Sequence, residues 1–393
     1  MMDHKKVQIH SIKKCNVSGD TDLIELWNLP KYPLTEQFGK FEKNFPRFSQ
    51  SLIISSKAGH VQLKNHIDPN FLYSPLNYSY RTTLSRSKKF ACDIFIDFFK
   101  KIVKGKKLIS IVDIGGNDNY IMERVSKKTS FKYVIDPVGI QKDNGIVVIN
   151  KFIHEVDFRE NINTPDAVIC RHTLEHLPDP KKILEKLINE CSVNCIFVFE
   201  VPSLEKMLEA HRFDTIMHQH VNYFDINSLK YLLNEISAEL LDYQYFNEGS
   251  CGGSILFAFK RKIKVNKKIK FSLKFKIEMI KKKIVLFQNE MNYLNEVINN
   301  TKDKFIGYGA GLMLSTYLYH LNINTSRIKY IIDDDIHKNN MGYKNINLKV
   351  KFLKNNEIPV NTNFLITSLE NKKIILSKIL NLKANKILFP SIV

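Results

Sequence analysis

Apolar positions along the chain fall into three regimes. Up to about residue 75, short strand-like runs are broken by Pro30, Pro33, Pro46 and Pro69. Proline fixes φ and removes a ladder donor, so this spacing predicts a small irregular N-terminal domain. From Phe90 the pattern changes: a helix to Val103, a strand from Leu108 to Ile114, then strand-like runs at Tyr133 to Ile135, Ile146 to Ile149, Ala167 to Ile169 and Ile196 to Phe199, with Ile255 to Phe259 closing the set. Strands alternating with helices predict an α/β, parallel, doubly wound (Rossmann-like) sheet with its ligand at the carboxyl ends of the strands. Between 271 and 300, Leu273, Ile277, Ile280, Ile284, Phe287, Met291 and Leu294 recur in steps of three and four, an amphipathic helix linking two units. Beyond it, Lys304 to Gly311 predicts a strand entering a glycine turn, and Tyr330 to Asp333 another strand ending in an acid. The expected division is 1–75, 76–262, a basic linker helix over 263–300, and a second, smaller α/β unit over 301–393.

Composition narrows the class. Hydrophobic residues make up 44% and charged residues 25% of 393, ordinary for a globular protein of two or three domains. No run of about eighteen apolar residues exists, so no membrane span is expected. The first residues carry no apolar signal segment, and six scattered cysteines form no CxxC pair. Both observations point to a reduced, cytoplasmic protein. The formal charge of +19 is concentrated in residues 260–283, where Lys and Arg dominate and Glu278 is the acid. Such a run suits a nucleotide diphosphate or another anion, or is a solvated helix face. It carries no RNA-binding signature of interleaved aromatics, so nucleic acid is not expected as a partner.

Two segments carry candidate chemistry. In Ile111 to Asp118 a buried strand runs into Gly115-Gly116-Asn117-Asp118, and Asp113 lies at the strand end. Glycines allow close backbone approach, and Asp136 at the end of the next strand can accept from ribose hydroxyls. The spacing is neither GxGxxG nor a Walker loop, which makes NAD and ATP poor fits. The second segment is Met217-His218-Gln219-His220. Imidazole is the side chain best matched to moving protons near neutral pH. An ordinary pair of core or surface histidines is the plain alternative.

The glycine turn with Asp136 resembles the cofactor site of class I S-adenosylmethionine-dependent methyltransferases. Further residues narrow the resemblance: Asp166 to Pro180 with His172 and His176, Glu200-Val201-Pro202, Phe213 to Tyr223, Gly252-Gly253-Ser254, Pro33-Leu34, Gly59 to Leu63, and Gly307 to Ala310 with Asp333. In this order the chain resembles the sugar C-methyltransferase family, which methylates carbon on nucleotide-activated deoxy-keto sugars. The resemblance implies His220 as the base, and His176 and Tyr80 as further catalytic groups. It places the sugar near Tyr78, His218, Gln219 and Tyr223, and S-adenosylmethionine on Asp113, Gly115, Gly116, Asn117, Asp118, Asp136 and His172. A nucleotide-linked sugar is then the partner, and the protein a monomer or homodimer.

The departures matter as much. The family's N-terminal domain holds zinc with two CxxC pairs, whereas this chain reads Cys15-Asn16-Val17-Ser18 and Ser55-Ser56-Lys57-Ala58. One thiol of four remains, so zinc is expected to be lost, no other metal replaces it, and packing alone would hold the domain. The catalytic segment has Met217 and Gln219 where the family has Tyr and Glu. Asn119 stands where the turn usually has glycine, and Leu256 where arginine is common. These changes leave three alternatives: O-methylation of a sugar hydroxyl, a catalytically degenerate cofactor-binding module, and, least favoured, an NAD-dependent reductase built on Gly307 to Gly311.

Overall fold

The computed structural model describes residues 7–72, 86–125, 129–142, 144–248, 250–262, 271–354 and 357–390. In the N-terminal part, β1 (Ile9–Ser11) pairs with β5 (Asn65–Ile67), while β2 (Leu23–Pro33), β3 (Arg47–Ser55) and β4 (Val61–Leu63) form an antiparallel sheet. The expected short, proline-broken pieces are corrected here: β2 and β3 run for 11 and 9 residues. Pro30 is accommodated because the β2–β3 register shifts between Leu29 and Tyr32, where Lys31 adopts φ 50°. The fourth strand of this sheet, β11 (Asn222–Tyr223), comes from the segment that carries His220 and pairs with β4.

The four positions that would hold zinc converge, but their chemistry does not fit the metal. Backbone N–H groups of Val17 and Ser18 point at the Cys15 sulfur, each at 3.4 Å. Ser18 and Ser55 hydroxyls lie 3.3 Å apart. Asp20 Oδ2 accepts from the hydroxyls of Ser55 and Ser56 and from Lys57 N at 3.1 to 3.2 Å. One thiol, two hydroxyls and the methyl of Ala58 cannot supply four zinc ligands. Packing is therefore not the sole support expected above, because a carboxylate-centred cluster joins the two knuckles. Asp20→Ala is expected to lower stability by about 1–2 kcal/mol, since charge-assisted hydrogen bonds are lost at a half-buried site. Thermal melts should show this drop, and EDTA should leave the wild-type midpoint unmoved; a chelator-induced fall would contradict the metal-free account.

The central sheet follows the strand order β12-β13-β10-β9-β6-β7-β8. Its parallel strands are β6 (Ser110–Ile114), β7 (Phe131–Ile135), β8 (Val147–Ile149), β9 (Ala167–Arg171) and β10 (Ile196–Pro202). Two strands correct the expectation of an all-parallel sheet. β13 (Ser254–Arg261) is antiparallel to β10, and β12 (Ala238–Phe246), which apolar patterning did not reveal, is antiparallel to β13. Alternation along the buried strands sorts side chains onto two faces. Ile111, Ile169, Val198 and Leu256 pack with Phe95 and Phe99 of the helix Arg86–Ile102. Val112, Val168, Phe197 and Phe257 pack with Leu184 and Leu187 of the helix Pro180–Glu190 and Leu229 and Leu232 of the helix Ile226–Glu235. The chain leaves β6 toward β7 and β8, then returns to β9 on the other side. The topological switch point, where doubly wound sheets take ligands, is therefore the gap between β6 and β9.

The C-terminal sheet has order β16-β17-β15-β14-β18-β19. β14 (Phe305–Tyr308), β15 (Ile328–Ile332), β17 (Ile346–Lys351), β18 (Asn363–Ile366) and β19 (Lys386–Leu388) are parallel, and β16 (Gly342–Tyr343) is an antiparallel edge. The 28-residue helix Leu273–Asn300 buries Ile280, Ile284, Phe287, Met291, Leu294 and Ile298. These residues share one core with Leu52 and Leu63 of the N-terminal sheet and with Leu314 and Ile331 of the C-terminal unit, so the helix is packed between them. Residues 263–270 of the basic run lie outside the described residues. Lys276 is taken up internally, donating to Gly59 O at 2.6 Å and to Asp225. Among the described residues no helix is long and apolar enough to cross a membrane.

Candidate active site

A cavity of about 820 Å³ opens at the switch point. Its first half is built by the turn after β6. Gly115 has φ +76°, and a Cβ there would come within 1.9 Å of Thr173 Oγ1, so glycine is required. A Cβ on Gly116 would meet Asp113 Oδ2 at 2.8 Å. Asn119 takes φ 67°, a left-handed conformation asparagine tolerates, and its Nδ2 donates to Ile140 O at 2.9 Å. The turn thus keeps its shape without the third glycine. Asn117 N and Val138 N donate to the two oxygens of Asp136 at 2.9 and 2.8 Å. Asp113 Oδ2 is buried without a hydrogen-bond partner. Burial, then the Asp136 charge, lifts Asp113 to about 8 against the pull of Arg171. A ligand that brings donors or positive charge would relieve this pair.

Asp113, Gly115, Gly116, Asn117, Asp136 and His172 all line the cavity; Asp118 does not. His172 takes φ 49°, and its ring bridges two acids: Nδ1 lies 3.1 Å from Glu175 and Nε2 3.3 Å from Glu200. Burial and Arg171 depress the imidazole, but Glu200 and Glu175 outweigh them and lift it to about 9. Glu200 is fully buried, accepting from Arg171 Nε at 2.5 Å and Ser254 Oγ at 2.6 Å. Burial opposes its ionisation, yet Arg171 and His172 hold it down at about 2.

The second half carries the candidate proton chemistry. His220, Gln219, Met217, His176 and Glu175 line it. The rings of His176 and His220 meet edge to face, with centroids 4.8 Å apart. His176 Nδ1 lies 2.8 Å from the Gln219 carbonyl, which can only accept, so Nδ1 is the donor there. Asn222 fastens the segment: its Nδ2 donates to Leu177 O at 2.8 Å, and its Oδ1 lies 3.1 Å from His60 Nε2. Burial, then His176, pushes His220 down to about 3, while Glu175, 4.0 Å from Nε2, pulls the other way. Burial would raise Glu175, but its bond to His172 and the neighbouring imidazoles hold it below its ordinary value. Thr35 Oγ1 donates to Gln219 Oε1 at 3.0 Å, which leaves the amide NH₂ as the free end.

Two expected substrate contacts are corrected. His218 is 1% exposed and turned away from the cavity, with Nε2 donating to Tyr32 O at 3.2 Å and Nδ1 3.4 Å from Gln50. It is a satisfied core histidine, because a turn closed by His220 N donating to Met217 O at 3.0 Å sends the two imidazoles different ways. Tyr223 is also buried behind the wall, where its hydroxyl accepts from Met217 N at 3.2 Å. Tyr78 and Tyr80 lie outside the described residues. Four lining groups were not read from sequence: Glu175, Tyr120 and Phe152 from the central unit, and Glu370 from the C-terminal one. A Glu beside His176 at the end of an apolar strand was the available signal for Glu175. Glu175, His176 and His220 offer ligand atoms within 4.8 Å of one another. Tetrahedral zinc, with bonds of about 2.0–2.2 Å, needs a tighter set than this.

A family model described as a methyltransferase domain matches residues 84–242. The chain is 24% identical over 251 residues to the C-methyltransferase NovU of Streptomyces niveus, a match covering 60% of this chain and 58% of that protein. The chain therefore matches under two thirds of this relative's length. Among solved structures it is similar to the plantazolicin methyltransferase BpumL in complex with SAH, at 12% identity and TM-score 0.39, over 49% of this chain and 93% of that one. It is similar also to magnesium protoporphyrin IX methyltransferase (ChlM) from Synechocystis PCC 6803 with bound SAM, at 10% identity and TM-score 0.34, over 45% of this chain and 80% of that one. Residues 84–242 thus match a methyltransferase domain, and their strands follow the order of a doubly wound, Rossmann-like sheet.

Proposed function

We propose that the protein methylates carbon beside the ketone of a nucleotide-linked sugar, with His220 as the base. The observation that carries this reading is the His220 imidazole on the cavity wall beside the Gln219 amide, whose oxygen is taken by Thr35. Asp113, Gly115, Gly116, Asn117 and Asp136 would hold the cofactor, with the unpartnered Asp113 oxygen facing its donors. When bound, S-adenosylmethionine supplies an electrophilic methyl group that a carbanion or alkoxide can take.

His220 removes the proton next to the ketone, and the C–H electron pair moves into the enolate, whose charge settles on oxygen. Gln219, its Oε1 occupied by Thr35, offers its NH₂ to that oxygen, and fixed donors of this kind lower the barrier most where charge develops. His176, fixed by the Gln219 carbonyl, flanks the sugar and orients its ring. His220 is a weak base in the empty cavity, but enolate charge forming beside it raises its proton affinity as the proton moves. Leu312, Met313 and Glu370 bring the C-terminal unit to the same wall, which supports an acceptor long enough to touch both units. The divisions near residues 75, 262 and 300 are proposed as domain boundaries on the same basis. The similarity to a C-methyltransferase favours carbon over oxygen as the methylated atom. Six buried free thiols fit a cytoplasmic setting.

Solvent deuterium tests the reading. With SAH present and no transfer possible, a keto-sugar nucleotide should exchange its α-hydrogen with D₂O in the wild type, but not in His220→Ala. A hydroxyl acceptor methylated without any exchange would instead establish oxygen transfer.

A further inference from the structure

Glu175 is fully buried in the short turn Leu174–His176, between β9 and the helix Pro180–Glu190, yet it reaches the cavity wall. Its Oε1 is shared, 3.1 Å from His172 Nδ1 and 4.0 Å from His220 Nε2. Its Oε2 is buried without a hydrogen-bond partner. The titratable groups acting on His220 are Glu175 and His176 from this turn and His172 from the end of β9. On its own segment the cavity-facing neighbours, Met217 and Gln219, are neutral. Among the described residues Glu175 is thus the anion paired with His220.

The arrangement behind it alternates in sign. Arg171 pairs with Glu200, Glu200 lies 3.3 Å from His172 Nε2, and His172 pairs with Glu175. The series begins on a cation and ends on a carboxylate that faces His220. A proton arriving on His220 creates an imidazolium that is 7% exposed, and such a charge is costly unless paired.

We propose that Glu175 is the positioning carboxylate of the reaction: it pairs with His220 once the proton has moved, and His172, anchored by Glu200, keeps it from swinging away. The step balances within the site, because the proton passes from substrate carbon to His220 while the electron pair stays on the enolate. The inference rests on His220 being the base.

Glu175→Gln keeps shape and removes charge. We expect α-hydrogen exchange and kcat to fall on the order of 10²-fold, with KM and SAH affinity changed less than about threefold. Glu175→Ala should regain part of its exchange rate when formate is added to the full-length protein, since a small carboxylate can enter the space left. Wild-type exchange in Glu175→Gln, with His220→Ala inactive, would overturn the role of Glu175 and leave the base assignment standing. Exchange that persists in His220→Ala would overturn both. Loss of SAH binding in Glu175→Gln together with no formate rescue of Glu175→Ala would show a structural residue and also overturn the proposal.

Discussion

His220→Ala is expected to slow methyl transfer by about 10³-fold while SAH binds as tightly as in the wild type, to within about threefold. The first half of this expectation follows from the cavity. Among the described residues, the nitrogen acceptors facing its reaction end are His220 and His176, and His176 is held by the Gln219 carbonyl as an orienting group. Removing the base leaves proximity and the Gln219 donor, which still give residual catalysis. The second half follows from placement, because Asp113, the glycine turn and Asp136 form the opposite half of the cavity. The pH profile adds a sign. With its pKa near 3, His220 stays neutral from about pH 4 upward, so its own protonation gives no acid limb in kcat/KM between pH 5 and 8. Single-turnover rates and calorimetric SAH titrations at pH 6, 7 and 8 check both parts. A variant as active as the wild type would remove His220 from the chemistry, and a variant that loses SAH would show that the segment shapes the cofactor site.

The architecture of the central unit was legible because its strands are buried on both faces and flanked by helices. Ser110–Ile114 and Ala167–Arg171 therefore stand out as short apolar runs. β12 escaped notice because it is an edge strand. Ala238–Phe246 alternates only weakly: Glu239, Asp242 and Gln244 are half-buried, while Leu241 and Tyr243 are exposed. The N-terminal sheet was hidden for a different reason: Pro30 is absorbed at a register shift and Pro33 ends β2, a tertiary accommodation with no local signature. At the site, the glycine turn and His220 were visible as residue types suited to their chemistry. The separation of His218 from His220 was not, since it depends on the hydrogen-bonded turn from Met217 to His220, which sends His218 toward Tyr32 and Gln50. Glu175 was missed because an acid in a buried turn has meaning only beside its partners, and those come from β9 and from the segment before β11.

Acid should unfold the protein near pH 5, well above the range where carboxylates alone would begin to act. His60, His66 and His218 are buried with pKa values lowered to about 4, and His220 and His320 to about 3, each chiefly by desolvation. In the unfolded chain these imidazoles take protons near 6.5. Between 6.5 and their folded values the unfolded state binds more protons, so stability is complete above about pH 6.5 and falls as pH drops. At pH 5 the loss is roughly 2 kcal/mol for each of these histidines. Asp113 acts in the opposite sense: its raised pKa weakens the fold as pH rises from 3.8 to 8, so acidification recovers roughly 2–3 kcal/mol there. The histidines win, and the net loss is comparable to the whole stability of an ordinary domain. The single tryptophan reports the transition directly, since Trp27 stacks on His320 with centroids 5.1 Å apart. Tryptophan fluorescence and far-ultraviolet circular dichroism, followed from pH 8 to pH 3 with proton uptake measured by titration, should show a cooperative change near pH 5 that takes up several protons. A signal unchanged down to pH 4 would mean that the buried histidines accept protons in place.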